Sequence, residues 1–211
     1  MTTESKNVIN TGYIPRKGQE LLHTQLKRFN VIVCHRRWGK TVMCINHLLD
    51  RAVRCKLPMP RFAYLAPTYG QSKRVAWDYL KKFALAIPGT SVNEAELRVN
   101  FVHNGAQITL LSAENPGSLR GIYLDGVILD EYAEMNPLVW TEVIRPTLSD
   151  RKGWAVFIGT PKGRNNFFDL FEYATSGKDF EWFGAMFKAS ETGILSQEEL
   201  DSNRRIMAEE T

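Results

Sequence analysis

Two short clusters, 90 residues apart, carry side chains able to do phosphate chemistry. The first is Cys34-His35-Arg36-Arg37-Trp38-Gly39-Lys40-Thr41, which follows the apolar run Val31-Ile32-Val33 and precedes apolar residues at helical spacing, Val42, Ile45, Leu48, Leu49 and Ala52. A loop joining a strand to a helix cradles phosphate oxygens with its backbone N–H groups and with the positive end of the helix. Within it Lys40 can neutralise β- and γ-phosphate charge, and the Thr41 hydroxyl can ligate Mg²⁺. Arg37, Trp38 and Gly39 complete the stretch that wraps the nucleotide. The pattern departs from GxxxxGK[ST] at its first position, where Cys34 replaces Gly. The second cluster is Asp130-Glu131 at the end of Val127-Ile128-Leu129. Consecutive side chains of a strand diverge, so the two carboxylates can take different roles, Asp130 in the Mg²⁺ shell and Glu131 as the base that polarises water. Each cluster alone has a bland reading, a solvated basic turn or an acidic loop; their joint presence in one chain favours an ATPase.

Other positions bear on the same chemistry. Tyr13-Ile14-Pro15-Arg16-Lys17-Gly18-Gln19 sets a ring, a cation and an amide ahead of the first strand, a combination able to stack on and hydrogen-bond adenine; a surface segment with a helix starting at Gln19 is the alternative. Arg120 lies in the Gly-flanked Ser118-Leu119-Arg120-Gly121, where a cation aimed at a γ-phosphate can raise turnover by about 10³ to 10⁵. Arg36 and Arg37 can act in cis or pair with a local carboxylate. Thr160, in Gly159-Thr160-Pro161-Lys162-Gly163, is placed to sense a γ-phosphate at a strand end, or to sit in an ordinary turn. His35, Cys34 and Cys44 lack a nucleophile-base-orienter set and read as packing or loop residues.

The elements that must position these groups are legible as a pattern. Short apolar runs at Val31 to Cys34, Phe62 to Ala66, Ile108 to Leu111, Val127 to Leu129 and Trp154 to Ile158 alternate with helix-like segments after Thr41, over Ser72 to Ala86 and over Asn166 to Ala174. Such alternation predicts an α/β domain around a largely parallel sheet. Leu97, Val99 and Phe101, then Asn104-Gly105, then Ile108 and Leu110 predict a β-hairpin on a type I′ turn and an antiparallel edge. The Met and Phe residues between Phe167 and Phe187 read as core. Ser196 with Glu199 marks a capping-box helix start.

Composition bounds the rest. The 211 residues, 44% hydrophobic, suffice for one packed domain. No apolar stretch approaches the roughly 18 residues of a membrane span, and no signal-peptide h-region opens the chain. Three cysteines without metal-ligand spacing point away from a disulfide framework or a zinc site and toward a reducing compartment. A net charge of +4 and a pI near 9.0 permit contact with nucleic acid without requiring it.

Taken in order, these motifs resemble the ATPase domain of the large terminase subunit, the DNA-packaging motor of tailed bacteriophages. The likeness runs from about Tyr13 to about Ser190 and includes Arg16 with Gln19, the Arg-rich phosphate loop, Leu65-Ala66-Pro67-Thr68 with Tyr69, Ser118 to Gly121, Asp130-Glu131 and Gly159 to Gly163. The resemblance implies an additional-strand P-loop NTPase fold, ATP and Mg²⁺ as ligands, and base contacts from Arg16 and Gln19. It further implies Arg36 as a cis arginine, Arg120 as a finger entering a neighbour's site, and Thr160 as the coupler of hydrolysis to movement. Double-stranded DNA, a portal protein, a small terminase subunit and a ring of copies are the implied partners, in the cytoplasm of an infected bacterium at the procapsid portal, with no membrane. Residues 1–190 would form the ATPase domain and 191–211 the start of a segment leading to a C-terminal nuclease domain, whose activity is not expected in this span. A helicase-type ATPase and a non-hydrolysing ATP-binding assembly module are the competing readings.

Overall fold

The computed structural model describes residues 9–119 and 121–209. Its centre is an eight-stranded sheet in the order β3-β4-β5-β2-β6-β7-β1-β8. The strands are β1 (Phe29–Cys34), β2 (Arg61–Ala66), β3 (Thr90–Asn93), β4 (Arg98–Phe101), β5 (Gln107–Ser112), β6 (Gly126–Asp130), β7 (Trp154–Gly159) and β8 (Trp182–Phe187). From β5 to β8 every pairing is parallel, and β3 and β4 extend the β5 edge in antiparallel fashion. Strands β1, β6 and β7 are buried along their whole length, which is why they read as nearly continuous apolar runs and not as alternating ones.

Each central strand feeds two cores. Ile32, Tyr64, Ile128 and Val156 face α1 (Lys17–Gln25), α2 (Lys40–Arg54) and a continuous helical stretch made of α3 (Tyr69–Gln71), a π-helical turn (Ser72–Trp77) and α4 (Asp78–Ala84). Val31, Leu65, Leu129 and Phe157 face the other way, toward the π-helical turn Val139–Ile144 with α5 (Arg145–Thr147), and toward α6 (Asn166–Thr175). Full burial of each such aliphatic side chain contributes about 1.5–3 kcal/mol. The chain closes with α7 (Ala189–Thr192) and α8 (Gln197–Glu209), and the Glu199 N–H donates to the Ser196 hydroxyl, as the capping pattern predicts.

Register is what builds the site. Val33 lies opposite Gly159 and Asp130 opposite Ile158, so the ends of β1, β7 and β6 are level and their following loops emerge side by side. Open α/β sheets bind ligands at this carboxyl edge.

The structure differs from the sequence reading in four places, the first being that Phe180 and Met186, read as core, are 85% and 43% exposed. The hairpin β4-β5 exists, but its turn is not type I′, since Gly105 has a left-handed φ of 69° and Asn104 does not. The Asn104 side chain is instead turned back to donate to the carbonyls of Ala52 and Cys55 at the end of α2, satisfying orphan acceptors there. Leu97 is buried as expected but stands at φ 46° in the turn before β4. Strands β3 and β8 are not legible in the sequence, because one is short and polar and the other reads as core. Gly184 lets α6 approach β8, and a Cβ there would come within 2.5 Å of Thr175 Cγ2.

Candidate nucleotide site

The loop after β1 turns through a left-handed Arg37 (φ 66°) and a left-handed Gly39 (φ 91°), the latter forming the N-cap of α2. Gly39 is required twice over, since its φ disfavours L side chains and a Cβ would lie 2.8 Å from Gln19 Nε2. Trp38 is buried beneath the loop, its ring 4.8 Å from that of Phe187. Cys34 is fully buried at the loop's entry, the position where Gly is usual, and burial pushes its thiol pKa well up, so it packs and does not act as a nucleophile.

Lys40 and Thr41 open α2 and face the strand tips. Lys40 Nζ lies 2.8 Å from Glu131 Oε1. The other oxygen of Glu131 accepts from both the backbone N–H and the hydroxyl of Thr160, each at 3.3 Å. Glu131 has a left-handed φ of 50°, a strained conformation that turns its carboxylate back across the strand tip. Asp130 is only 8% exposed. It accepts from the Tyr64 hydroxyl at 2.5 Å and from the Glu131 N–H at 3.0 Å. Burial pushes its carboxyl up to about 6, against the pull of the Tyr64 hydrogen bond. Tyr64 thus reaches Asp130 at the strand end from β2, with the Thr41 side chain nearby at the start of α2. A cleft of about 390 Å³ gathers Arg36 to Val42, Ala66, Pro67, Gln71, Tyr79, Asp130 and Glu131 around these groups.

A terminase family model, described as terminase large subunit, T4likevirus-type, N-terminal, matches residues 31–201. The chain belongs to that family. It is 33% identical over 179 residues to the terminase large subunit of Thermus virus P23-45, covering 76% of this chain and 36% of that protein. With the large subunit of Escherichia phage T5 it shares 28% identity over 152 residues, 69% of this chain and 33% of the relative. It thus spans about a third of the length of these curated relatives. Among solved structures, the large terminase ATPase domain of Thermus phage P74-26 superposes with a TM-score of 0.77 at 27% identity, covering 93% of this chain and 89% of that one. The large terminase of another thermophilic bacteriophage, in complex with ATP-γ-S, matches at a TM-score of 0.72 and 18% identity over 90% of this chain and 49% of that chain, a likeness of fold.

Within this terminase domain the expected site residues fall into groups. Lys40, Thr41, Asp130, Glu131 and Thr160 come together as the sequence spacing implies, and the exposed side chains of Arg36 and Arg37 line the same cleft. Trp38 contributes loop backbone, with its ring turned inward. Arg16 and Gln19 are adjacent to the loop, but their bonds run to its backbone: Arg16 Nη1 donates to the carbonyls of Arg37 and Trp38, both at 2.9 Å, and Gln19 Nε2 to those of Trp38 and Gly39 at 3.1 and 3.3 Å. Arg120 lies outside the described residues. Sequence reasoning missed Tyr64, Gln71 and Tyr79. Tyr64 sits inside an apolar run where a phenol reads as core, and no local pattern brings Gln71 or Tyr79 to the cleft.

Proposed function

We propose that this terminase domain hydrolyses ATP and that turnover drives double-stranded viral DNA into a procapsid. The observation that carries the reading is the convergence of Lys40, Thr41, Asp130 and Glu131 on one cleft, with Thr160 hydrogen-bonded to Glu131, the proposed base. Phosphates of ATP would lie along the loop amides and the start of α2, with Lys40 against the β- and γ-oxygens. The donor set suits Mg²⁺: Thr41 and Asp130 are hard oxygen ligands lining the same cleft, and Mg²⁺ takes few protein ligands beside phosphate and water. When bound, Mg²⁺ neutralises charge on the transferring phosphoryl group.

Glu131 then has a defined task. A γ-phosphate offers Lys40 a second anionic partner, leaving the Glu131 carboxylate to accept a proton from the attacking water. The water oxygen bonds to γ-phosphorus, the bond to the β–γ bridging oxygen breaks, and ADP and phosphate result. Thr160 reports the event, because any shift of Glu131 is felt by two hydrogen bonds at the start of the loop leading to α6. Arg36 serves as the cis arginine, and Arg120 as the finger reaching a neighbour's site within a ring of copies. That ring would engage a portal protein, a small terminase subunit and duplex DNA in the cytoplasm of an infected bacterium. Among the described residues no helix is long and apolar enough to cross a membrane. Residues 1–190 form the ATPase unit in this reading, and 191–211 lead toward a nuclease domain.

Glu131→Gln tests the central claim. ATP binding should persist while phosphate release falls by about 10² to 10⁴. Turnover equal to that of the parent protein would remove Glu131 from the role of base.

A further inference from the structure

Three loops meet at one carboxylate on the rim of the cleft. Strands β2, β6 and β7 are neighbours in the sheet, and Gln71, Glu134 and Lys162 lie in the segments that follow them. Glu134 closes a 3-10 turn (Tyr132–Glu134) whose N-cap is Glu131, and its N–H donates to the Glu131 carbonyl at 2.8 Å. Its Oε1 pairs with the Lys162 ammonium, and its Oε2 accepts from Gln71 Nε2 at 3.3 Å. The Lys162 hydrogen bond holds the Glu134 carboxyl below the usual carboxylate range, so the pair is charged at neutral pH. Gln71 is itself fixed, since its Oε1 accepts from the N–H and the hydroxyl of Thr68 at 3.1 and 3.2 Å. It lines the cleft together with Glu131.

The loop after β7 depends on such ties. From Thr160 to Arg164 no residue is buried, so apolar packing does not hold this stretch. Its polar anchors include the two bonds from Thr160 to Glu131, the Lys162 ion pair, and the Lys162 carbonyl, which accepts from Asn165 Nδ2 at 3.1 Å. Glu131 and Glu134, joined by one backbone hydrogen bond, thus grip the same loop at two points, Thr160 and Lys162. A loop held at Thr160 alone would let that residue, and the Glu131 oxygen bonded to it, drift from the geometry an attacking water needs. An exposed ion pair adds little to stability, whereas a small misplacement of a reacting group can cost about 10²-fold in rate.

We propose that Glu134 is a positioning residue for hydrolysis, which joins Lys162 to Gln71 across the rim of the cleft and so fixes the Thr160 loop against Glu131. The proposal rests on the ATPase reading of the cleft and adds to it a residue outside the phosphate and Mg²⁺ contacts. Its loss leaves Lys40, Thr41 and the loop amides in place, so rate and nucleotide affinity separate.

Single-turnover phosphate release and equilibrium MgATP binding, measured on the parent chain, Glu134→Ala, Lys162→Ala, the double variant and Glu131→Gln, test this. Glu134→Ala should slow release by about 10-fold while MgATP affinity stays within about twofold of the parent. Lys162→Ala should do the same, and the double variant should be no slower than either, because one interaction is lost in all three. The proposal is overturned if Glu134→Ala releases phosphate as fast as the parent, if the two single losses multiply in the double variant, or if affinity falls as far as rate. Both side chains are exposed, and either single variant decides the question if the other fails to fold. A parent chain that releases no more phosphate than Glu131→Gln overturns the ATPase reading and this proposal with it. A parent that turns over well above Glu131→Gln, with Glu134→Ala keeping pace, overturns the proposal alone.

Discussion

Strand β6 is bracketed by two buried aspartates, Asp125 just before it and Asp130 at its end, and the two are provided for very differently. Asp125, 5% exposed, accepts from Arg151 Nε at 2.7 Å on one oxygen and from the Arg61 N–H at 2.8 Å on the other. A cation meets its charge, and Arg151 goes on to the Pro58 carbonyl, so the group ties the loops at the amino ends of β2, β6 and β7 together. Asp130 has a phenol and one backbone N–H, and its neighbour Glu131 is anionic. Its desolvation is not matched by a directly bonded cation, and its carboxyl titrates near 6 as a result. The same side chain stands paired with a cation at one end of the strand and without a directly bonded one at the other, where the proposed function has it hold a cation from solution.

That contrast can be broken from either end. The largest effect falls at the Asp130 end and on rate: Glu131→Gln should reduce phosphate release by about 10² to 10⁴ while the thermal midpoint stays close to that of the parent, since Gln can still accept from Thr160. A large fall in the midpoint would mean that the strand tip is structural after all. Next comes Asp125→Ala, expected to cost about 3 kcal/mol in denaturant unfolding by stranding Arg151 and the Arg61 N–H. Nucleotide affinity of the folded fraction should be unchanged. A loss below about 1 kcal/mol would show that Asp125 is no more a strut than Asp130.

The amino end also carries a pH dependence. His47, beside Trp154 at the start of β7 and stacked on His23, is held down to about 3 by burial, with His23 and Arg51 adding repulsion. Its folded pKa lies below the unfolded value of 6.5, so the unfolded chain takes up the proton first. Stability is full above about pH 6.5 and falls as pH drops toward 3, by about 2 kcal/mol between pH 6.5 and 5. Urea titrations at those two pH values should show the loss in the parent and a smaller one in His47→Phe. The smallest effect returns to the functional aspartate. Asp130→Asn removes a desolvated charge and should leave stability unchanged or raise it by about 1 kcal/mol, while abolishing the Mg²⁺ dependence of nucleotide binding. Destabilisation by several kcal/mol would cancel the distinction between the two aspartates.

The sequence determined more of the site than of the fold's edges. A glycine with a following Lys-Thr between an apolar strand and an amphipathic helix, and two carboxylates after another apolar strand, are local patterns whose chemistry does not depend on their surroundings, and residues Lys40, Thr41, Asp130 and Glu131 are legible for that reason. The central strands are legible because burial on both faces leaves mostly apolar residues. Edge strand β3 is not, since it is short and polar, nor is β8, whose apolar run reads as core without a strand signal, and Asn104-Gly105 does not form the turn its dipeptide suggests because the Asn104 side chain answers to α2, about 50 residues away in the chain. Tertiary structure alone decided that β1, β7 and β6 end level, that the Tyr64 hydroxyl donates to Asp130, that Gln19 is bonded to the phosphate loop, and that Tyr79 lines the cleft. These are relations between distant segments, fixed by strand register and helix packing, and no pattern confined to neighbouring residues encodes them.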